Sequence, residues 1–314
     1  MKRSVGWAVT DSGRAIVSRV AARNLRKRLE VVWSELKAAC RPRHEPERIH
    51  QVRVACRRTL AAFEAFGELV PPKQGKWFEK WLRKIRRAAG ETRDLDVLLG
   101  RLAEERLDAQ AERAKRRLLV MLRQRRDESR QPLREVLQRL EAGDWSGRIE
   151  RVVERVSEAE IDESFADFAR HGLRPTLQRF FSRADRRQAD AEEIHRLRIE
   201  GKKLRYAMEI FAVAFPPAVR TACLKALEEM QESLGQFTDH AAAADRFRRW
   251  ARESGAGPDH KTLVGLRKRE EALADRARRA FSKWWTRSRR LSLRESFSQT
   301  LERYAACPNT TARQ

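Results

Sequence analysis

Residues Ile49–Phe66 read IHQVRVACRRTLAAFEAF, and residues Ile194–Phe211 read IHRLRIEGKKLRYAMEIF. Each string opens on Ile-His, continues with a basic residue every three or four positions, and closes on an apolar run. The two lie 145 residues apart. The same spacing joins Gly90 to Gly235 and Asp94 to Asp239, within LRKIRRAAGETRDLD from Leu82 and LEEMQESLGQFTDHA from Leu227. Two separated matches at one spacing indicate a duplicated unit. The expected halves are residues 12–156 and 162–302, with a boundary near Ser157 to Asp162. Two such halves would pack with pseudo-two-fold symmetry, so that corresponding residues converge on one shared surface.

Outside these strings the pattern is helical throughout. Ala, Leu, Glu, Arg and Lys fill the long segments, Gly and Pro fall between them, and strand-like alternation is nearly absent. Helices are expected at about Gly13–Ala39, Glu47–Leu69 and Lys76–Ala89, resuming after Gly90. Others should cover Ala109–Glu141, bent or split at Pro132, and then run to Val156 after the AGDWSG turn. The second half predicts helices over Ser164–Ala184, Ala191–Phe215, Ala218–Ser254 and Lys261–Leu301. The tail 303–314 reads as disordered. The fold class is therefore all-α.

The 314 residues carry 69 Lys plus Arg against 45 Asp plus Glu, a net charge of +24. Charge on that scale opposes compaction unless anions gather on it. It points to nucleic acid, anionic lipid or a phosphate polymer as partner. The start MKRSVGWAVTDSGR has no apolar run of signal-peptide length, and no segment is apolar enough to span a bilayer. A cytosolic protein is expected, with an organellar one as the alternative. Cys40, Cys56, Cys223 and Cys307 show neither a CxxC pair nor a zinc spacing, and read as small apolar side chains in a reducing compartment.

On a helix, His50, Arg53 and Arg57 share one face, with Arg58 widening it. The stripe is about 10 Å long. In the second half His195, Arg198, Lys202 and Arg205 form the equivalent stripe, flanked by Lys203 and extended by Tyr206. No acidic residue occupies the stripe positions. Like charges at this spacing destabilise a helix, and a bound polyanion would compensate, with Arg giving a planar fork and Lys a point charge to phosphate oxygens. The segment WFEKWLRKIRR adds Lys80, Lys84 and Arg87 on one face, while Trp77 and Trp81 read as core. Arg93 and Asp94 follow Gly90 at a turn, and Asp94 is expected to cap a helix or pair with Arg93. Asp239 could cap likewise.

No phosphate-binding loop, HExxH, GxSxG or calcium loop occurs, and no nucleophile stands beside a base. The expectation is a non-enzymatic protein without cofactor or metal. A metal held by His50 and His195 would sit among cations that repel it.

The strings IHQVRVACRR, GETRDLDVLL, IHRLRIEGKKLRYAMEIF and LEEMQESLGQFTD resemble the CHAD family, the conserved histidine α-helical domain, over about Ser12 to Leu301. The resemblance implies two related helical bundles around a basic central cavity or groove that binds inorganic polyphosphate, and association with polyphosphate granules. It marks His50, Arg53, Arg57, Arg58 and Arg93, then His195, Arg198, Lys202, Lys203, Arg205 and Tyr206. Leu60 departs from the family's usual basic residue there, and Thr238 stands opposite Arg93. Alternative readings are an RNA- or DNA-binding helical protein, a phosphohistidine or phosphatase enzyme, and a granule scaffold docking partner proteins through WWTRSRR around Trp284 and Trp285.

Overall fold

The computed structural model describes residues 16–41, 46–105, 109–186, 190–215, 217–253, 255, 257 and 259–303. Among these residues every element is helical, apart from one isolated bridge between Ile16 and Ser164. The expected tail, Cys307 and His44 lie outside the described residues.

Helix α1 is Val17–Cys40, α2 is Pro46–Ala65, α3 is Pro72–Ala88 and α4 is Gly90–Glu104. They are followed by α5 Ala109–Glu128, α6 Gln131–Ala142 and α7 Trp145–Ser157. The chain continues with α8 Phe165–Ala184, α9 Ala191–Ile210, α10 Pro217–Glu253, α11 His260–Trp284 and α12 Arg287–Arg303. Apolar periodicity explains why each packs. In α1 the buried residues Ala21, Leu25, Leu29, Val32 and Leu36 recur every three or four positions and form one stripe. Helix ends carry local signals: Asp144, Ser164 and Asp190 cap α7, α8 and α9, each accepting a hydrogen bond from the backbone N–H three residues on. Asp144 does so from a left-handed backbone, φ 53°, which Asp tolerates better than most residues.

At Pro132 one of the two expected outcomes holds, and two further helices break where a continuous one was expected. Pro132, in the first turn of α6, separates it from α5, where a bend or a split was open. Helix α9 stops at Ile210 and gives way to a 3-10 turn over Ala212–Ala214. The single helix expected over Lys261–Leu301 is two. Trp285 leaves the helix to stack on Phe281 at 5.8 Å and on Trp284 at 5.7 Å, and Thr286 Oγ1 accepts from the Arg289 N–H to start α12. Trp285 is buried and Arg289 covers the Trp284 ring, so this pair serves the core. Trp77 likewise packs against Phe78, Trp81 and Trp145.

The core has two parts. The larger draws on α1–α3, α6–α9, the start of α10, the end of α11 and α12. The smaller joins Leu95, Leu98 and Leu102 of α4 to Leu118 and Leu122 of α5, Phe247 and Trp250 of α10, and Leu263 and Leu266 of α11. Arg126 and Asp96, 2.6 Å apart and both withdrawn from water, tie α4 to α5 beside it. Helices α2 and α9 pack on each other and on the neighbouring helices that carry the remaining site residues.

One close approach depends on a missing side chain. At Gly201, α9 lies so near α10 that a Cβ would strike the Met230 methyl and the Gln231 amide. Met230 is fully buried, and Gln231 Nε2 donates to the Arg198 carbonyl at 3.1 Å, so making room means repacking the Met230 end and giving up that hydrogen bond. Gly201→Ala should therefore destabilise the fold by about 1–3 kcal/mol, despite its better helix propensity. Urea unfolding measures this. A gain in stability would show that α9 and α10 part freely.

Candidate functional site

Apolar residues of α2 and α9 bury one face of each helix: Ile49, Val52, Cys56 and Phe63 in α2, with Ile194, Leu197, Leu204 and Met208 in α9. That burial fixes the rotation of both helices and turns their basic stripes toward a common region. Arg57 of α2 reaches α9, where its Nε donates to the Tyr206 hydroxyl at 3.2 Å. Tyr206 is only 4% exposed. The Arg205 guanidinium lies over its ring, 5.1 Å from the centroid. Arg57 also lies within electrostatic reach of Arg198 and Lys202 across the interface, and of His50 on its own helix.

Each motif helix repeats one contact. The Arg53 guanidinium sits against Gly90, where an added Cβ would lie 3.3 Å from Nη1. The Arg198 guanidinium sits against Gly235, where the same distance is 3.5 Å. Glycine at both positions makes room for an arginine beside a helix backbone. Arg53 then donates to the Arg86 carbonyl at 2.9 Å, and Arg198 comes within 3.7 Å of Asp239.

The titration behaviour of the cluster follows from crowding and burial. Burial, reinforced by Arg198, Arg57 and Arg205, pushes the Lys202 ammonium down to about 7, against a weak opposing pull from Asp239. Burial lowers Arg53 and Arg198, with other arginines adding to the effect. His50 is lowered by burial first and then by Arg93, Arg57 and Arg53, so it stays neutral near pH 7. Tyr206 moves the other way for an acid. Burial alone would raise it, but the charges and hydrogen bonds of Arg57 and Arg205 prevail and lower it. These are the responses of a region that already holds too much positive charge.

Some donors in this region are unused. Arg198 Nε and Arg205 Nε are buried, and neither finds an acceptor among the described residues. Among those residues no carboxylate pairs with Arg57 or Lys202. Buried donors and cations in this condition are costly unless something satisfies them.

The stripes are not wholly free of acids. Glu209 takes Arg58 at 2.9 Å and stands 3.9 Å from Arg205, while Glu200 holds Lys203 at 2.8 Å. The absence of acids from the stripe positions is thus offset from the next turn and from α10. Arg58 and Lys203 are thus each engaged by a carboxylate. Lys203 lines a separate cleft of about 480 Å³, floored by Phe168 and Phe211. His195 is exposed, and His50 half-buried. On α3, Lys80 and Arg87 are exposed, and Lys84 covers the Trp81 ring at 4.8 Å. Arg93 lies half-buried near His50 and Arg53.

Asp94 and Asp239 do not cap helices. Both lie inside them, in α4 and α10, where Asp94 pairs with Arg246 at 3.1 Å and Asp239 faces Arg198. Arg86 and Arg28 contribute where the sequence pattern indicated neither. Arg86 flanks the buried stripe Phe78, Leu82, Ile85, which places it against α2. Arg28 is buried and lowered to about 10 by that burial, with Arg58 adding and Glu209 opposing. Leu60, 145 residues before Arg205, packs on the main core, and Thr238 donates back to the Leu234 carbonyl.

Residues 23–248 match the family model of the CHAD domain. This chain belongs to the CHAD family. Its fold is similar to the crystal structure of the CHAD domain from the plant Ricinus communis, with a TM-score of 0.69 at 24% identity. That match covers 88% of this chain and 95% of the plant chain. PptA from Streptomyces chartreusis is similar with a TM-score of 0.57 at 17% identity, over 86% of this chain and 99% of that one. No curated protein matches the CHAD chain in sequence. Among its described residues no helix is long and apolar enough to cross a membrane, and no three His, Cys, Asp or Glu side chains gather as a metal set.

Proposed function

We propose that this CHAD protein binds inorganic polyphosphate without turning it over, and that it associates through this polymer with cytoplasmic polyphosphate granules. The reading rests on one observation. Arg57 and Lys202 are half-buried among other cations with no carboxylate paired to them among the described residues, and buried Nε–H groups of Arg198 and Arg205 lie unused beside them. Phosphate oxygens supply both the charge and the acceptors that this cluster needs. Binding a dense polyanion also releases its condensed counterions, a gain that grows with the number of cations engaged.

A phosphate backbone alone fits the cluster better than a nucleic acid. Its one aromatic, Tyr206, is buried, so its ring offers no stacking platform to a base. Trp81 is already covered by Lys84. The full chain should therefore bind long-chain polyphosphate at least about tenfold more tightly than single-stranded RNA of equal total charge at physiological salt. Equal affinity would reduce the site to a generic cationic surface. Steady release of orthophosphate, or phosphate retained on His50 or His195, would replace the binding reading with an enzymatic one.

A further inference from the structure

A second cleft, of about 360 Å³, opens beside the cluster between the start of α4, the end of α5 and the last turns of α10. Arg125, Arg246 and Arg249 line it with Gly90 and Trp250, and so do three carboxylates, Glu91, Asp94 and Glu253. Gly90 is a wall shared with the cluster, since Arg53 rests on it. Asp94 is shared as well. Its carboxylate pairs with Arg246 at 3.1 Å and acts on Arg53 from the same place. The path from Arg53 to Arg246 therefore crosses one carboxylate.

Beyond it the cations are loosely held. Arg125 stands 3.9 Å from both Glu91 and Glu253, outside hydrogen-bond reach of either. Arg249 is exposed, acts on Arg246, and has no carboxylate partner among the described residues.

The positions 145 residues away are built differently. Arg246 corresponds to Arg101, but Arg125 corresponds to Glu270 and Arg249 to Glu104. Around Gly235 the side chains satisfy one another: Arg101 donates to Glu270 at 3.1 Å and to the Asp239 carbonyl at 3.2 Å, while His240 meets Glu270 at 2.6 Å. An anion leaving the cluster meets loosely held arginines past Gly90, beside Glu91, Asp94 and Glu253, whereas past Gly235 the arginine and histidine are already taken by Glu270.

We propose that the cleft past Gly90 is a second phosphate subsite, in which Arg125, Arg246 and Arg249 hold the part of a polyphosphate chain that has run beyond the central cluster. The proposal rests on the polyphosphate reading above and adds a direction to it. The polymer leaves the cluster on one side only. A short chain fills the cluster and never reaches the cleft, whereas a long chain engages both.

The test compares tripolyphosphate with long-chain polyphosphate on three full-length proteins: wild type, Arg125→Gln/Arg249→Gln, and Arg276→Gln/Arg279→Gln. The last pair removes the same charge from exposed positions on α11. The cleft variant should lose about tenfold or more in affinity for the long chain and keep its affinity for tripolyphosphate, while the α11 variant changes little for either. Circular dichroism and melting confirm that all three fold. Equal losses from both variants would leave only net charge and overturn the subsite. Equal loss of both ligands in the cleft variant would merge it with the cluster and overturn it too. If wild type binds neither ligand, the polyphosphate reading itself fails and the subsite with it.

Discussion

Arg57→Gln should give a protein that melts higher than wild type and holds polyphosphate about 10- to 100-fold more weakly. The two effects share a cause. Arg57 is surrounded by Arg198, Lys202, His50 and Arg53, and among the described residues its side chain donates to the Tyr206 hydroxyl. Removing the charge forfeits that bond, about 1 kcal/mol, which the Gln amide can partly replace. It relieves repulsion on several half-buried cations at once. Net stabilisation follows, expected as a rise of a few degrees in Tm at low phosphate. Binding changes in the opposite sense, because a charge-assisted bond to phosphate contributes roughly 1.5–3 kcal/mol. Extending the change to Arg53, Arg198 and Lys202 should abolish measurable binding. It should also flatten the dependence of log K on log salt by about 0.7–0.9 for each phosphate that is no longer neutralised. An Arg57→Gln protein that melts lower and binds unchanged would mean that Arg57 is a structural residue of the α2–α9 interface.

Stability surrendered at a functional cluster is a familiar trade. Here it also explains which features were visible in the sequence. The stripes on α2 and α9 were legible because residue spacing and helix periodicity fix them locally, and the repeat at 145 residues singled them out. Gly90 and Gly235 were legible as matches but not as neighbours of the stripes, since their role depends on a guanidinium arriving from another helix. For the same reason Arg86, Arg28 and Glu209 were missed. Each acts through a partner on a different element, and no spacing within one helix announces it. The break between α11 and α12 failed for a different reason. RAFSKWWTRSRR contains neither Gly nor Pro, so local propensity favours continuing the helix. The tertiary stacking of Trp285 overrides it, and Thr286, a capping residue type, was the one local hint.

The second large effect is in pH. The free protein holds Lys202 at about 7, because burial and then Arg198, Arg57 and Arg205 disfavour its charged form. In the unfolded chain the ammonium titrates near its ordinary value of 10.5. Between these values the unfolded state binds a proton that the folded state does not, so the stability of the free protein rises with pH across that window. Below about 7 both states carry the proton and this contribution to the slope disappears. Polyphosphate reverses the balance. Its charge favours the ammonium, so binding above pH 7 draws a proton from solution, and affinity falls with rising pH by up to about tenfold per unit. His50, lowered from its ordinary value, is neutral there and takes up a proton only in more acidic solution. Tyr206 is lowered from 10 by Arg57 and Arg205 against its burial, and its ionisation weakens anion binding in the same direction. The measurement is calorimetric titration at about pH 8 in two buffers of different ionisation enthalpy. Wild type should take up close to one proton per site. Lys202→Met should bind weakly with no uptake, and Lys202→Arg should bind tightly with none, because a guanidinium keeps its charge throughout. Tight wild-type binding with no proton uptake would show that the bound chain does not touch Lys202, and would move the site along the stripes toward Arg53 and His50.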